Sequence, residues 1–524
     1  MKRKVLMAGV LALTAVLAFT TPAFAQDADP VVVLGQRVNL MWVIIGAALV
    51  IFMQAGFAMV ETGFCRARHA THVVSTNFMV FGLGFVAFFL VGYSLMFGGY
   101  FYVVPGFDFG YDQPVGDALI KFGDWVFLWK GGFAGSFFDG GNLAYSGAVL
   151  GFFLYMVAFM DTTATIPTGS MAERWRWKSF VLWGVFCGAL YYPVFGAWTW
   201  GGGWLSQLGN NLGLGNGYVD FAGSGIVHAM GGVAALAGAL VLGPRVGKFG
   251  KDGKPRGLPG HSIPLAMLGT FILLFGWFGF NAASTLAATD AQLATVAANT
   301  ALAAAFGSVL AMLWSTWRLG KPDPGMMANG MLAGLVAITA PCAFVDPWVA
   351  ALVGAVAGVV VIEAILLLER RFKVDDPVGA ISVHGVCGVL GVLSVGLFAN
   401  GKYGIDAIAP GVGWNGTTNN LNADGAANGV TGLFYGDGGQ LIAQLIGAAT
   451  IIVVMGGVAF AFFKIQHRLT RGGIRSDRED EINGLDLPEM GVQAYPDFVG
   501  THEGYGVPEA PATTSAGDRQ LTQA

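Results

Sequence analysis

Charge is the scarcest property of this chain. Only 11% of its 524 residues are Asp, Glu, Lys or Arg, against about 25% in an ordinary soluble domain. So few charges cannot clothe a water-exposed surface of this size. The net charge of −4 is slight too. It gives no support for a nucleic-acid partner, which needs a strong basic field. Cysteine is nearly absent. Cys65, Cys187, Cys342 and Cys387 show no paired spacing, which argues against a disulfide framework or a thiolate metal centre. They read as small buried residues. No cofactor is expected.

Apolar sequence fills the space that charge leaves. The chain is 55% hydrophobic with mean hydropathy +0.62. Apolar runs of about 20 residues recur along most of it, the length an α-helix needs to cross a bilayer. The 80 glycines suit close helix packing in lipid. The expected fold is an all-α polytopic membrane protein. Its first residues form a separate unit. A basic "MKRK", an apolar "VLMAGVLALTAVLAF" and Ala23-Phe24-Ala25 make a signal peptide over 1–25, cleaved after Ala25.

Eleven hydrophobic segments follow, near 38–64, 75–102, 148–171, 179–199, 220–243, 262–283, 295–316, 326–343, 346–368, 378–398 and 438–463. Loops after the odd segments are basic: "CRARH", "ERWRWKS", "GPRVGKFGKDGKPRG", "WRLGKPD", "ERRFKVDD" and "KIQHRLTRGGIRSDR". Those after the even segments share only Lys121, Lys130 and Lys402. The positive-inside rule puts the odd loops in the cytoplasm, the N-terminus outside and the C-terminus inside. The expected setting is a bacterial plasma (inner) membrane. The long basic loop after segment 5 divides the membrane domain (38–466) into halves of five, about 38–244 and 261–398, plus an eleventh helix. Five is odd, so the second half enters upside down: an inverted repeat.

That repeat gives two histidines a context. His228 lies on segment 5 and His384 on segment 10, each the last helix of its half. The local sequences agree, as Val227-His228-x-x-x-Gly232 and Val383-His384-x-x-x-Gly388. A twofold axis in the membrane plane would bring the rings together near the midplane. Ionisable groups at that depth are costly and point to function. Two other readings stand beside this one: structural histidines hydrogen-bonded to neighbouring helices, and a metal site. The metal site lacks the third and fourth ligands that zinc wants. Neutral imidazole both donates and accepts, so two facing rings suit a small polar solute or a proton relay.

"WGGG" (200–203), "DFAGSGIVH" (220–228), "LFGWFGFNAAS" (274–284) and "DDPVGAISVHGVCG" (375–388) together resemble the ammonium transporter (Amt/Mep/Rh) family, in its bacterial Amt branch. The resemblance runs from about residue 38 into the tail. It implies an outer site where Trp200, Ser284 and Phe159 recruit ammonium. Trp offers the best cation–π face and serine accepts from N–H. It implies a gate of two stacked rings, Phe159 and Phe280; Phe280 lies four residues before Ser284, on the same helix face. Asp220, eight residues before His228, is implied as structural support that caps the helix or holds backbone N–H groups. The twin histidines would then line a hydrophobic pore. Ammonium can lose a proton and cross as neutral ammonia, whereas potassium pays its whole desolvation cost.

The resemblance also implies a homotrimer. The tail, 467–524, carries "DREDEINGLDLPEMGVQAY" with Gly484-Leu485-Asp486 at its centre. It is expected to dock on cytoplasmic loops of a neighbouring subunit, where a PII-type signal protein can plug the pore. The stretch after 505 reads as disordered by composition. Three acids fit this picture poorly. Glu61 is expected to reach the surface at the end of segment 1. Asp161 is expected to bond Thr162 or Thr163, and Glu363 has no assigned partner. Pro167 is expected to kink segment 3. Two readings compete with transport: an ammonium sensor acting through a separate cytoplasmic partner, and an Rh-like gas channel. An intramembrane enzyme is excluded for want of a nucleophile or metal cluster at a usable spacing.

Overall fold

The helices begin where turn chemistry tells them to. Asp29, Asp323 and Asp346 each precede a proline that opens a helix, and proline at the first helical position costs no hydrogen bond. Ser262 plays the same part before Ile263-Pro264. Asp29 Oδ1 accepts from the Val31 amide at 2.9 Å, Ser262 Oγ from Leu265 at 3.3 Å and Asp323 Oδ1 from Met326 at 3.0 Å. Asp437 Oδ1 holds the amides of Gly439 and Gln440 at the start of the last span. These side-chain oxygens satisfy donors that would otherwise be orphaned.

This computed structural model describes residues 29–98, 117–138, 143–405, 412–418, 420 and 428–496. The expected signal peptide and the end of the tail lie outside them. Among the described residues, ten helices are long and apolar enough to cross a membrane: α1 (Pro30–Phe64), α2 (Ala67–Phe97), α3 (Gly147–Met171), α4 (Trp177–Trp198), α5 (Ser224–Leu242), α6 (Ile263–Thr285), α7 (Gln292–Leu319), α9 (Pro347–Phe372), α10 (Ile381–Phe398) and α11 (Gly438–Leu469). A shorter apolar helix, α8 (Pro324–Ile338), stands at the place of the eighth segment. The eleven-segment reading therefore holds, with one span short. Pro167 lies inside the helix that contains α3.

The halves meet first on first and last on last: α1 packs along α6, and α5 meets α10. Large apolar side chains face outward, as lipid contact allows, and the interior is an apolar core that also takes in polar side chains. Phe52, Phe78, Phe271, Phe275 and Trp317 are exposed, while Asn77, Thr163, Asn281, Asn299 and Thr300 are wholly buried. All four cysteines are free and buried.

One element departs from an all-helical reading. Strands β1 (Asp117–Phe122) and β2 (Trp125–Lys130) form an antiparallel hairpin in the loop after α2. It is tied over the end of α4. Trp198 Nε1 donates to the Phe127 carbonyl at 2.9 Å, and Trp129 Nε1 donates to that of Gly201 at 2.7 Å.

Candidate functional site

The two histidines meet. His228 Nδ1 and His384 Nδ1 lie 3.1 Å apart, with ring centroids separated by 5.2 Å and planes inclined by 22°. Local sequence builds this contact twice over. Each ring sits in a wide π-helical turn at the start of its helix, Ser224–Ala229 and Ile381–Val386. Such turns redirect a side chain and gather at functional sites. The glycine four residues after each histidine then lets the helices cross. A Cβ on Gly232 would collide with the backbone of Gly385, and one on Gly388 would lie 2.5 Å from the Ser224 carbonyl oxygen. In a contact between two Nδ1 atoms one must carry hydrogen and the other a lone pair. The pair therefore shares one proton at that contact, and both rings cannot be imidazolium while it persists.

An aspartate holds the start of each half-helix. Asp220 accepts from the amides of Gly223 at 3.0 Å, Gly225 at 2.8 Å and Ile226 at 2.9 Å. Asp376 accepts from Gly379 at 3.1 Å and Ile381 at 2.7 Å. The sequence reading passed over Asp376. The signal was present: Asp-x-x-Gly-x-x-x-Val-His occurs at 220–228 and again at 376–384.

Aromatic rings close the path on one side of the pair. Phe280 lies 5.4 Å from His228 and stacks on Phe159 at 4.1 Å, with 28° between the planes. Both phenylalanines are fully buried. Trp200 stands edge-on to Phe159 at 5.6 Å and donates through Nε1 to the Asp220 carbonyl at 2.7 Å. Ser284 Oγ donates to the Phe280 carbonyl at 2.7 Å and lies 3.1 Å from the Tyr155 hydroxyl. Trp200 and Ser284 are both partly exposed. The contacts thus run from Trp200 to Phe159, from Phe159 to Phe280, from Phe280 to His228 and from His228 to His384.

Tyr155 and Trp277 escaped sequence reasoning. Tyr155 is one turn before Phe159, packs on it at 4.8 Å, and also donates to the Gly279 carbonyl at 2.9 Å. Trp277 stacks on His228 at 5.0 Å with 17° between planes, and its Nε1 donates to Thr339 Oγ1 at 2.8 Å. Their spacing from Phe159 and Phe280 was the available signal.

Glu61 and Asp161 differ from expectation, and Glu363 finds partners. Glu61 is only 3% exposed, so it does not reach the surface. Its carboxylate accepts from Asn77 Nδ2 at 2.7 Å and from Thr168 Oγ1 at 2.8 and 2.9 Å. Asp161 is not bonded by its neighbouring threonines. Thr162 and Thr163 instead donate to the Ala158 and Phe159 carbonyls of their own helix, a local alternative open to every threonine. Asp161 Oδ1 is buried without a hydrogen-bond partner. Glu363 pairs with Arg318 at 2.9 Å and accepts from Trp314 Nε1 at 2.8 Å.

A charged layer closes the basic-loop end. Glu173 accepts from the Arg66 amide at 2.8 Å and lies 3.3 Å from Arg245 Nη1. Arg245 also grips Asp375 with Nε and Nη2, at 2.9 and 3.0 Å. Burial raises the Asp375 carboxyl, but the charges of Arg174 and Arg245 and the hydrogen bonds from Arg245 outweigh it and hold it below the usual range. Glu173 is likewise lowered, by Arg245, His69 and Arg66 against the opposing effect of burial. The tail packs on this layer. Val246 N donates to Glu481 at 2.6 Å, His72 N to Asp486 at 2.9 Å and Trp177 N to Glu489 at 2.6 Å. Glu481 belongs to a short helix, α12 (Arg478–Asn483). Leu485 is fully buried, and its amide lies 3.3 Å from His69 Nδ1. These partners, on α2, on α4 and in the loop after α5, belong to the tail's own chain.

Fold and site together define a multi-pass membrane protein of two related halves, with an ionisable pair at their meeting point and a ring-closed approach. A sequence profile of the Ammonium Transporter Family matches residues 41–495. Ammonium transporter Amt2 of Archaeoglobus fulgidus is 44% identical over 466 residues, 88% of this chain and 89% of that protein. Ammonium transporter Amt1 of Haloferax mediterranei is 36% identical over 486 residues, 90% of this chain and 82% of that one. Among solved structures, a sensor Amt protein matches with TM-score 0.71 and 32% identity, over 87% of this chain and 99% of that one. Mep2 of Candida albicans matches with TM-score 0.67 and 27% identity, over 88% and 90%. This chain belongs to the Ammonium Transporter Family.

Proposed function

We propose that this protein moves ammonium across a membrane by taking it apart. Ammonium is recruited between Trp200 and Ser284, with Phe159 beneath them as a further ring face. It sheds a proton there, and ammonia passes Phe159 and Phe280 and then the histidine pair. The observation that carries this reading is the single hydrogen bond between His228 Nδ1 and His384 Nδ1, lying behind two stacked rings. A bare cation gains little from two neutral imidazoles after losing its water, whereas ammonia can both donate and accept. Asp220 and Asp376 are positioning residues. They anchor the turns that aim the histidines.

On this reading the basic loops face the cytoplasm, the N-terminus lies outside a bacterial inner membrane, and residues 1–25 are removed. Three copies assemble into a trimer. The tail around Gly484, Leu485 and Asp486 reports to the pore and offers its face to a PII-type signal protein. The direct test is a jump in ammonium concentration on proteoliposomes, beside an equal potassium jump. Uptake or current with ammonium alone is expected. Response to neither ion overturns the reading. One observation favours a second reading, in which binding signals to a partner: the likeness to a sensor Amt protein. Tight ammonium binding without flux would select it.

A further inference from the structure

The mechanism above leaves one buried acid unused. Glu61 sits near the basic-loop end of α1, and three observations place it in the wall below the histidines. It is one helical turn past Phe57, whose ring lies 6.0 Å from that of His384. A Cβ on Gly169 of α3 would meet Glu61 Oε1 at 3.1 Å and Val378 Cγ2 at 2.6 Å; Val378 belongs to the segment leading into α10. Asp376, in the same segment, is partly exposed and anchors the start of α10 through the Gly379 and Ile381 amides.

The surroundings of Glu61 set it apart from three other buried acids of that end. Glu173, Asp375 and Glu481 each take an arginine. Glu61 takes none. Among the described residues its hydrogen-bond partners are an amide and a hydroxyl, Asn77 Nδ2 and Thr168 Oγ1. A negative charge in such a place is costly, and a carboxyl relieves the cost by binding a proton. An arginine-paired acid is a strut. An acid held by neutral donors can exchange a proton without losing its ties. Asn77 Oδ1 is buried without a partner, and turning that amide over would present an acceptor to the protonated form.

We propose that Glu61 is the proton-exchanging group on the exit side of the pore, returning a proton to ammonia that has passed His384. The inference rests on the ammonium-transport reading. In the forward step the O–H bond of the Glu61 acid breaks, the ammonia lone pair takes the proton, and ammonium and a carboxylate result. The carboxylate then takes up the proton that the incoming ammonium released upstream, so each cycle moves one ammonia and one proton. Thr168 and Asn77 are positioning residues that hold the carboxyl in both states.

The test measures charge moved per ammonia moved, from current and lumen alkalinisation on the same proteoliposomes. Glu61→Gln keeps the volume and can still bond Thr168 and Asn77, but cannot exchange a proton. Ammonia movement is expected to persist, while charge per ammonia falls about 100-fold, the scale of a lost acid–base group. Glu61→Asp, which keeps a titratable group, is expected to restore charge movement with a shifted pH profile. Wild-type charge per ammonia in Glu61→Gln overturns the inference, as does a proportional loss of both with lowered thermal stability, which a mere strut would give. If Glu61→Gln does not fold, an Asp variant with an unshifted pH profile overturns it equally. Wild-type protein that moves ammonia without charge overturns the inference and leaves transport standing. Wild-type protein that moves neither overturns both.

Discussion

Replacing Gly232 with alanine adds one methyl group where the histidine-bearing helices cross. The added carbon would overlap the amide and Cα of Gly385, with the His384 carbonyl carbon 2.9 Å away. Backbone cannot swing aside as a flexible side chain does. To reach van der Waals distance the helices must part by about 1 Å. The Nδ1–Nδ1 separation of 3.1 Å would then open to about 4 Å, beyond any hydrogen bond. Overpacking of this kind costs about 1–3 kcal/mol. Transport should therefore fall well before the fold does, because the bond between the rings is lost at a modest cost in stability. The comparison is Gly457→Ala on α11, where a Cβ meets nothing within 4 Å. There the alanine should stabilise by up to about 1 kcal/mol through helix propensity alone. Ammonium flux and thermal unfolding in detergent would be measured on both variants. Wild-type flux in Gly232→Ala would refute the claim that the crossing sets the histidine geometry.

Three further outcomes follow from neighbouring parts of the structure. Gly484 has φ +115°, and a Cβ there would strike the Arg68 carbonyl; Gly484→Ala should release the tail, seen as faster limited proteolysis after residue 470. Asp375 has a lowered folded pKa. Its stabilisation is therefore present above the free carboxyl value of about 4 and is lost as pH falls through the folded value. Asp375→Asn leaves Arg245 buried without that carboxylate and should cost about 3–5 kcal/mol, measured by thermal unfolding at pH 7, with the difference from wild type shrinking in acid. Phe280→Ala empties a fully buried ring position, costs about 3–5 kcal/mol, and should admit potassium current where the wild type has none.

The histidine pair was legible because the repeat carries it twice; one histidine in one helix would have looked like any satisfied core residue. Asp376 was legible by the same symmetry, through its spacing from His384, although the preceding Asp375 offers a second carboxylate and blurs the match. Tyr155 and Trp277 were not legible in practice. With 40 Phe, 14 Trp and 13 Tyr in the chain, only tertiary contact separates a ring at the path from one facing lipid. Glu61 misled because its place near a helix end suggested water. The segment at 374–380 folds over it from the other half of the chain, and no local pattern announces that. Asp161 misled in the opposite way: adjacent threonines promised partners, but their hydroxyls turned to their own helix. The hairpin at 117–130 lies in a loop rich in glycine and aromatic residues, where no clean apolar–polar alternation marks the strands.

The central claim is that the His228–His384 contact behind the two rings admits ammonia and refuses cations. It is tested most directly by paired ammonium and potassium jumps on proteoliposomes carrying wild-type protein or the double variant His228→Ala/His384→Ala. The account predicts an ammonium-only response in wild type, and in the variant either loss of that response or a response to both ions. An ammonium-selective response of wild-type size in the double variant would contradict it.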